Sequence, residues 1–117
     1  MSDAARNDNV RFDVRDGIAV VTVARSKAMN ALNDQTLGEL ERAFDGVRTD
    51  PAVHGAVVTG EGDRAFVAGA DIAELAAMTP EQAEAASAKG QRVYAAIEGC
   101  GKPVAAAIHG FALGGGL

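Results

Sequence analysis

Two short stretches of this 117-residue sequence have the residue types to offer backbone, rather than side chains, to a ligand: Ala68-Gly69-Ala70-Asp71 and Gly114-Gly115-Gly116. Each follows an apolar run that reads as a strand, and each reads as the approach to a helix. The first N–H groups of a helix have no partner within it and lie where the helix dipole favours negative charge. Ala and Gly are small enough to let a ligand reach such groups. The chemistry would be the holding of an oxyanion or a phosphate. The alternative is that the small residues only permit a sharp turn or close packing, and the residues by themselves leave both readings open. Neither stretch matches G-x-G-x-x-G and no Gly-Lys-Ser/Thr occurs, so a nucleoside triphosphate is not expected.

Reactive side chains are scattered. Cys100 is the single cysteine, has no partner for an internal disulfide, and reads as a small buried residue in a protein of a reducing compartment. His54 and His109 lack a Ser, Cys or Asp at a spacing that would suggest a triad or a metal centre, so no metal is expected; His109 reads as structural. Asp71 reads as a helix cap, because a carboxylate there accepts free backbone N–H groups. Glu74 and Glu98 read as solvated helix charges. Arg25 and Lys27 have the charge to meet phosphates but read first as surface groups.

The elements that must position the two small-residue stretches follow from patterning. Phe12 to Asp16 and Ile18 to Ala24 read as a hairpin about Asp16-Gly17. Leu37, Leu40, Phe44 and Val47 fall at spacings of three, four and three, which predicts an amphipathic helix capped by Asn33 or Asp34 and ended by Asp50-Pro51. Val53 to Thr59 predicts a buried strand, followed by a turn at Gly60-Glu61-Gly62-Asp63. A short extended piece from Arg64 leads to Ala68-Gly69-Ala70 and a short helix begun by Asp71. Pro80 opens a longer helix that carries Val93, Tyr94 and Ile97 and stops near Gly99 and Gly101. Val104 to Ile108 is a last apolar strand. Strands alternating with helices imply an α/β architecture with largely parallel pairing apart from the hairpin. No close internal repeat and no linker is evident, so residues 1–117 read as one domain.

Composition narrows the partners. The chain is 48% hydrophobic and 23% charged, within the range of a globular domain. A net charge of −5 without clustered Lys and Arg argues against nucleic acid or an anionic membrane. The N-terminal MSDAARNDNV is polar and reads as neither leader nor anchor, and no run reaches the roughly 18 apolar residues of a spanning helix. A cytoplasmic location is the resulting expectation.

The segments ARSKAMNALN (residues 24–33), AFVAGADIAEL (65–75) and KPVAAAIHGFALGGGL (102–117), in that order and spacing, resemble the enoyl-CoA hydratase/isomerase, or crotonase, superfamily. The resemblance covers nearly the whole chain but only the N-terminal part of that family's domain, whose members are more than twice as long. It implies a spiral of ββα turns assembled as trimers or pairs of trimers. It also implies an oxyanion hole made by the backbone N–H groups of Ala70 and Gly115 around the thioester oxygen of an acyl-CoA. Lys27, Ala28, Ala68, Asp71, Ile72, Ala73 and Gly114 would lie along the substrate, with the KAMNA stretch near adenosine and pantetheine. Coenzyme A would belong to the substrate, and no separate cofactor is implied. Ser26 stands where many members have proline, which touches only the local loop shape.

Hydratases of that family activate water with two glutamates, the first expected immediately after Leu117 and the second further on. The implied reaction is addition of water to a trans-2-enoyl-CoA in fatty-acid β-oxidation. The 117 residues alone are expected to turn over no crotonyl-CoA. Double-bond isomerases, decarboxylases and thioester hydrolases of the superfamily share the hole. A non-catalytic module that binds CoA thioesters is the reading from a different class.

Overall fold

The Val-rich strands flanking Asp16-Gly17 pair as expected: β1 (Val10–Arg15) and β2 (Ile18–Val23) run antiparallel, with Arg15 opposite Ile18 and Val10 opposite Val23. Both turn residues have positive φ, 51° and 81°, the combination of a two-residue hairpin turn whose twist matches its strands. The computed structural model describes residues 9–117. Residues 1–8, most of the polar stretch read above as neither leader nor anchor, lie outside the described residues.

Helix α1 (Asp34–Thr49) begins at Asn33, whose side chain accepts the Thr36 N–H, so Asn33 rather than Asp34 is the cap. It ends at Asp50, before Pro51. The next strand starts two residues later than its apolar run, as β3 (Gly55–Gly60), because Val53 still closes a turn onto the Asp50 carbonyl. Then come β4 (Ala65–Val67), α2 (Ile72–Ala76), α3 (Pro80–Glu98), β5 (Val104–Ala107) and β6 (Phe111–Ala112). Asp71 caps α2, while Thr79 and Gln82 form a reciprocal capping box at α3 with Pro80 in its first turn.

The strands divide into two sheets. One has the order β1-β2-β3-β5, with β2, β3 and β5 parallel; the other pairs β4 with β6, also in parallel. The second sheet is not legible from the sequence, since its strands have three and two residues. In chain order the pattern is two strands then one helix, two strands then two helices, and then two strands again. The ββα spiral implied by the resemblance has this order.

The core lies between the larger sheet and the helices. Along β2, Ala19, Val21 and Val23 are buried and the alternate residues are not, the period-two signature of a sheet with one packed face. Phe44 and Val47 of α1 and Val93 of α3 meet them. Each such side chain contributes about 1.5–3 kcal/mol by leaving water. A carboxyl group is buried with them: Glu39, 0% exposed, accepts the N–H groups of Asn9 and Val10 and the Gln35 amide. Its hydrogen bonds offset the loss of hydration and fasten the start of β1 to α1.

Candidate active site

The position of both small-residue loops follows from the second sheet. β4 and β6 run in parallel with Val67 paired to Ala112, so the chain leaves both strands at the same edge. Ala70 and Gly115 each lie three residues beyond that registered pair. In open α/β sheets this carboxyl edge is where ligands bind. The loops also touch. A Cβ on Gly69 would come within 2.9 Å of the Leu113 carbonyl oxygen, and one on Gly116 would overlap the Val67 carbonyl. Only glycine permits this contact, and the Leu113 N–H donates to the same Val67 carbonyl at 3.1 Å.

Local pairing decides which way each N–H points. Leu32 bridges Ala70 in parallel: the Leu32 N–H donates to Gly69 O at 2.7 Å and the Asp71 N–H donates to Leu32 O at 3.0 Å. In such a bridge the central residue's own N–H and C=O face the opposite side. The Ala70 N–H therefore turns away from residues 24–33. On the other loop, Gly114–Gly116 is a 3-10 turn in which Gly116 donates to Leu113 O and Leu117 to Gly114 O. That leaves the Gly115 N–H as an orphan of the turn's start. Ala70 and Gly115 line one cavity of about 340 Å³, with Leu32, Leu37 and Leu75 as apolar walls. A larger hollow of about 650 Å³ adjoins it and includes Gly114 and Gly115 but not Ala70. Only the smaller one is lined by both Ala70 and Gly115.

Carboxylates at the cavity are already engaged. Asp71 accepts the Glu74 N–H at 3.1 Å and an N–H from Arg25 Nη2 at 3.1 Å, while Arg25 Nη1 donates to Ala31 O at 2.6 Å. The Glu74 N–H first, and Arg25 after it, hold the Asp71 carboxyl below its ordinary pKa against the opposing effect of burial. Asp71 is thus the cap the sequence suggests. Arg25 is not a freely solvated charge, because its guanidinium ties residues 24–33 to the Ala68–Asp71 loop. Glu74 also does more than face water: both its oxygens accept the Asp34 N–H, joining α2 to the start of α1. Glu98 is exposed, as expected.

The remaining residues named from the sequence spread outward. Ala68 is half-buried and donates to Met29 O at 3.2 Å. Ile72, 79% exposed, and Ala73 lie on the outer side of α2, while Lys27 is exposed and Ala28 half-buried in the 3-10 turn Ser26–Ala28. None of these five lines the 340 Å³ cavity. Cys100 is buried and sits 3.5 Å from Lys102 O, consistent with a packing role. Among the described residues no cluster of His, Cys, Asp or Glu has the makings of a metal site.

Two contributors were missed. Buried Asn30 accepts the Arg25 N–H and donates to Glu61 O and Ala65 O, locking residues 24–33 to the turn before β4. Tyr94, read as an ordinary helix position, borders both cavities beside Gly115. For the loops themselves a signal was present. Phe66-Val67-Ala68-Gly69-Ala70 and Phe111-Ala112-Leu113-Gly114-Gly115 align in sequence with the same offset as the Val67–Ala112 pair, a faint repeat beneath the apparent absence of one.

Residues 13–117 match the family model described as enoyl-CoA hydratase/isomerase. The chain belongs to the enoyl-CoA hydratase/isomerase family. Among the curated proteins it is 47% identical over 109 residues to a crotonyl-CoA hydratase of Syntrophomonas wolfei, covering 93% of this chain and 42% of that one. It is 41% identical over 109 residues to a short-chain-enoyl-CoA hydratase of Clostridium acetobutylicum, with the same coverage of 93% and 42%. A crystal structure of an enoyl-CoA hydratase from Bacillus anthracis superposes with a TM-score of 0.90 at 32% identity, covering 93% of this chain and 43% of that one. This family member therefore has the crotonase fold, and it spans about 42% of the length of the curated relatives it matches.

Proposed function

We propose that these residues form the thioester-holding half of an enoyl-CoA hydratase, which adds water reversibly across the α,β double bond of a short trans-2-enoyl-CoA. The observation that carries this reading is the placement of Ala70 and Gly115 at equivalent positions on one sheet edge, their N–H groups unpaired and lining one cavity. When hydroxide or water bonds to the β-carbon, electron density moves through the α-carbon to the thioester oxygen. Two fixed donors stabilise that developing anion more than the substrate carbonyl, which lowers the barrier. Leu32, Leu37 and Leu75 exclude competing water and receive the acyl chain. Asp71 and Glu74 are committed to capping and pairing, so neither is the proton-handling carboxylate of this reading. The relatives named crotonyl-CoA and short-chain-enoyl-CoA hydratase support a short acyl group. Assembly into trimers and a cytoplasmic location are parts of the same proposal. Among the described residues no helix is long and apolar enough to cross a membrane.

The test is the protein expressed from its complete reading frame with crotonyl-CoA, following the enoyl absorbance. Loss of absorbance to an equilibrium with the 3-hydroxyacyl product is expected. An intact double bond after prolonged incubation with folded protein contradicts the reading.

A further inference from the structure

The two loops are equivalent in register but not in residue: the first has alanine at position 70 where the second has glycine at position 115. The structure shows what separates them. A Cβ on Gly115 would overlap the phenolic oxygen of Tyr94 and would touch little else, Leu32 Cδ1 lying 3.6 Å away. Glycine at 115 thus makes room for a hydroxyl. Tyr94 projects from α3 on the face that also carries Ala83, Ala86, Ser87 and Gly90, whose small side chains leave the cavity open beside the ring. Tyr94 lines both cavities along with Leu32 and Gly115, so its ring stands at the boundary between them. Its hydroxyl makes no hydrogen bond among the described residues, and with Tyr94 40% exposed it stays open to a ligand. Burial raises the Tyr94 pKa, which keeps the group a neutral donor across the physiological range.

We propose that the Tyr94 hydroxyl is a third hydrogen-bond donor to the thioester oxygen held by the Ala70 and Gly115 N–H groups. The inference rests on the acyl-CoA reading above. It gives the space saved at Gly115 a chemical use. A donor that approaches from α3 fixes the carbonyl in a direction that two donors from one sheet edge leave free. Its contribution grows as charge moves onto the oxygen, so it acts on kcat more than on KM.

The experiment uses the protein from its complete reading frame, as wild type and Tyr94→Phe, with crotonyl-CoA carrying ¹³C at the thioester carbonyl. Phenylalanine retains the ring, and equal thermal unfolding of the two proteins verifies that the fold is kept. Isotope-edited infrared spectra read the carbonyl stretch of the bound thioester, which falls in frequency as each donor polarises it. Wild type is expected to show a downshift that Tyr94→Phe partly reverses, together with about a tenfold loss in kcat and a KM within about threefold, less than the hundredfold or more that loss of a main oxyanion donor costs. A downshifted carbonyl that is the same in both proteins, with equal kcat, overturns the role of Tyr94 and leaves the acyl-CoA reading standing. Absence of a bound thioester in wild type overturns both.

Discussion

At the scale of single residues, backbone rather than side-chain chemistry dominates, and substitutions act by occupying space. Gly115→Ala is expected to drive a methyl group into the Tyr94 hydroxyl and cost about 1–3 kcal/mol, the range for overpacking a filled site. Adding Tyr94→Phe to Gly115→Ala removes the obstructing oxygen, so the double variant is expected to regain much of that loss. A thermodynamic cycle from urea unfolding of the four proteins measures the coupling, and strictly additive losses would refute the contact. Asp71 gives a pH-dependent case. Its folded-state pKa lies below the ordinary 3.8, so its contribution is complete above that value and disappears as the pH falls through the folded-state value. Asp71→Asn keeps an acceptor for the Glu74 N–H but loses the negative charge that this N–H and Arg25 both favour. It is expected to be less stable than wild type by about 1 kcal/mol or less at pH 7, with the gap closing below about pH 4. Unfolding midpoints of the two proteins across that range decide it; a gap unchanged in acid would show the charge to be idle.

At the scale of elements, what the sequence revealed and what it hid have separate physical causes. The hairpin, α1, α3 and β3 carry enough apolar periodicity to be read directly, and their ends fall at caps and prolines with short-range chemistry. The β4–β6 sheet escapes such reading because strands of three and two residues carry no period, and their pairing is set by the parallel crossovers that surround them. The same limit applies to Asn30. Its amide spans from residues 24–33 to Glu61 and Ala65, a long-range set of bonds that no local pattern announces. Asn30→Ala leaves the buried Ala65 carbonyl, the half-buried Glu61 carbonyl and the Arg25 N–H without their partner, and a loss of about 2–3 kcal/mol is expected. Because residues 29–32 hold Ala68, Gly69 and Asp71 in place, amide exchange at Leu32, Ala68 and Asp71, whose N–H groups bond between the two segments, should accelerate more in this variant than exchange in β2. Equal acceleration throughout would mean that Asn30 supports the fold at large rather than this loop.

At the scale of the molecule, one topological fact connects sequence to chemistry: a repeated ββα order carries two loops, distant in sequence, to the same edge of a small parallel sheet. The candidate site was legible as two clusters of small residues and as a family resemblance. Their convergence was not, since it depends on the register of Val67 with Ala112. Likewise Arg25 looked like a free cation until the fold placed Asp71 beside it. The central claim is that the Ala70 and Gly115 N–H groups hold one carbonyl oxygen together. The most direct measurement is the amide spectrum of ¹⁵N-labelled protein titrated with butyryl-CoA, whose saturated acyl group binds without being hydrated. The account predicts the largest downfield proton shifts at Ala70 and Gly115, moving together with one dissociation constant, and small shifts at Ala68 and Gly116, whose N–H groups are already bonded. Saturable binding that leaves both the Ala70 and Gly115 amides unmoved would contradict it.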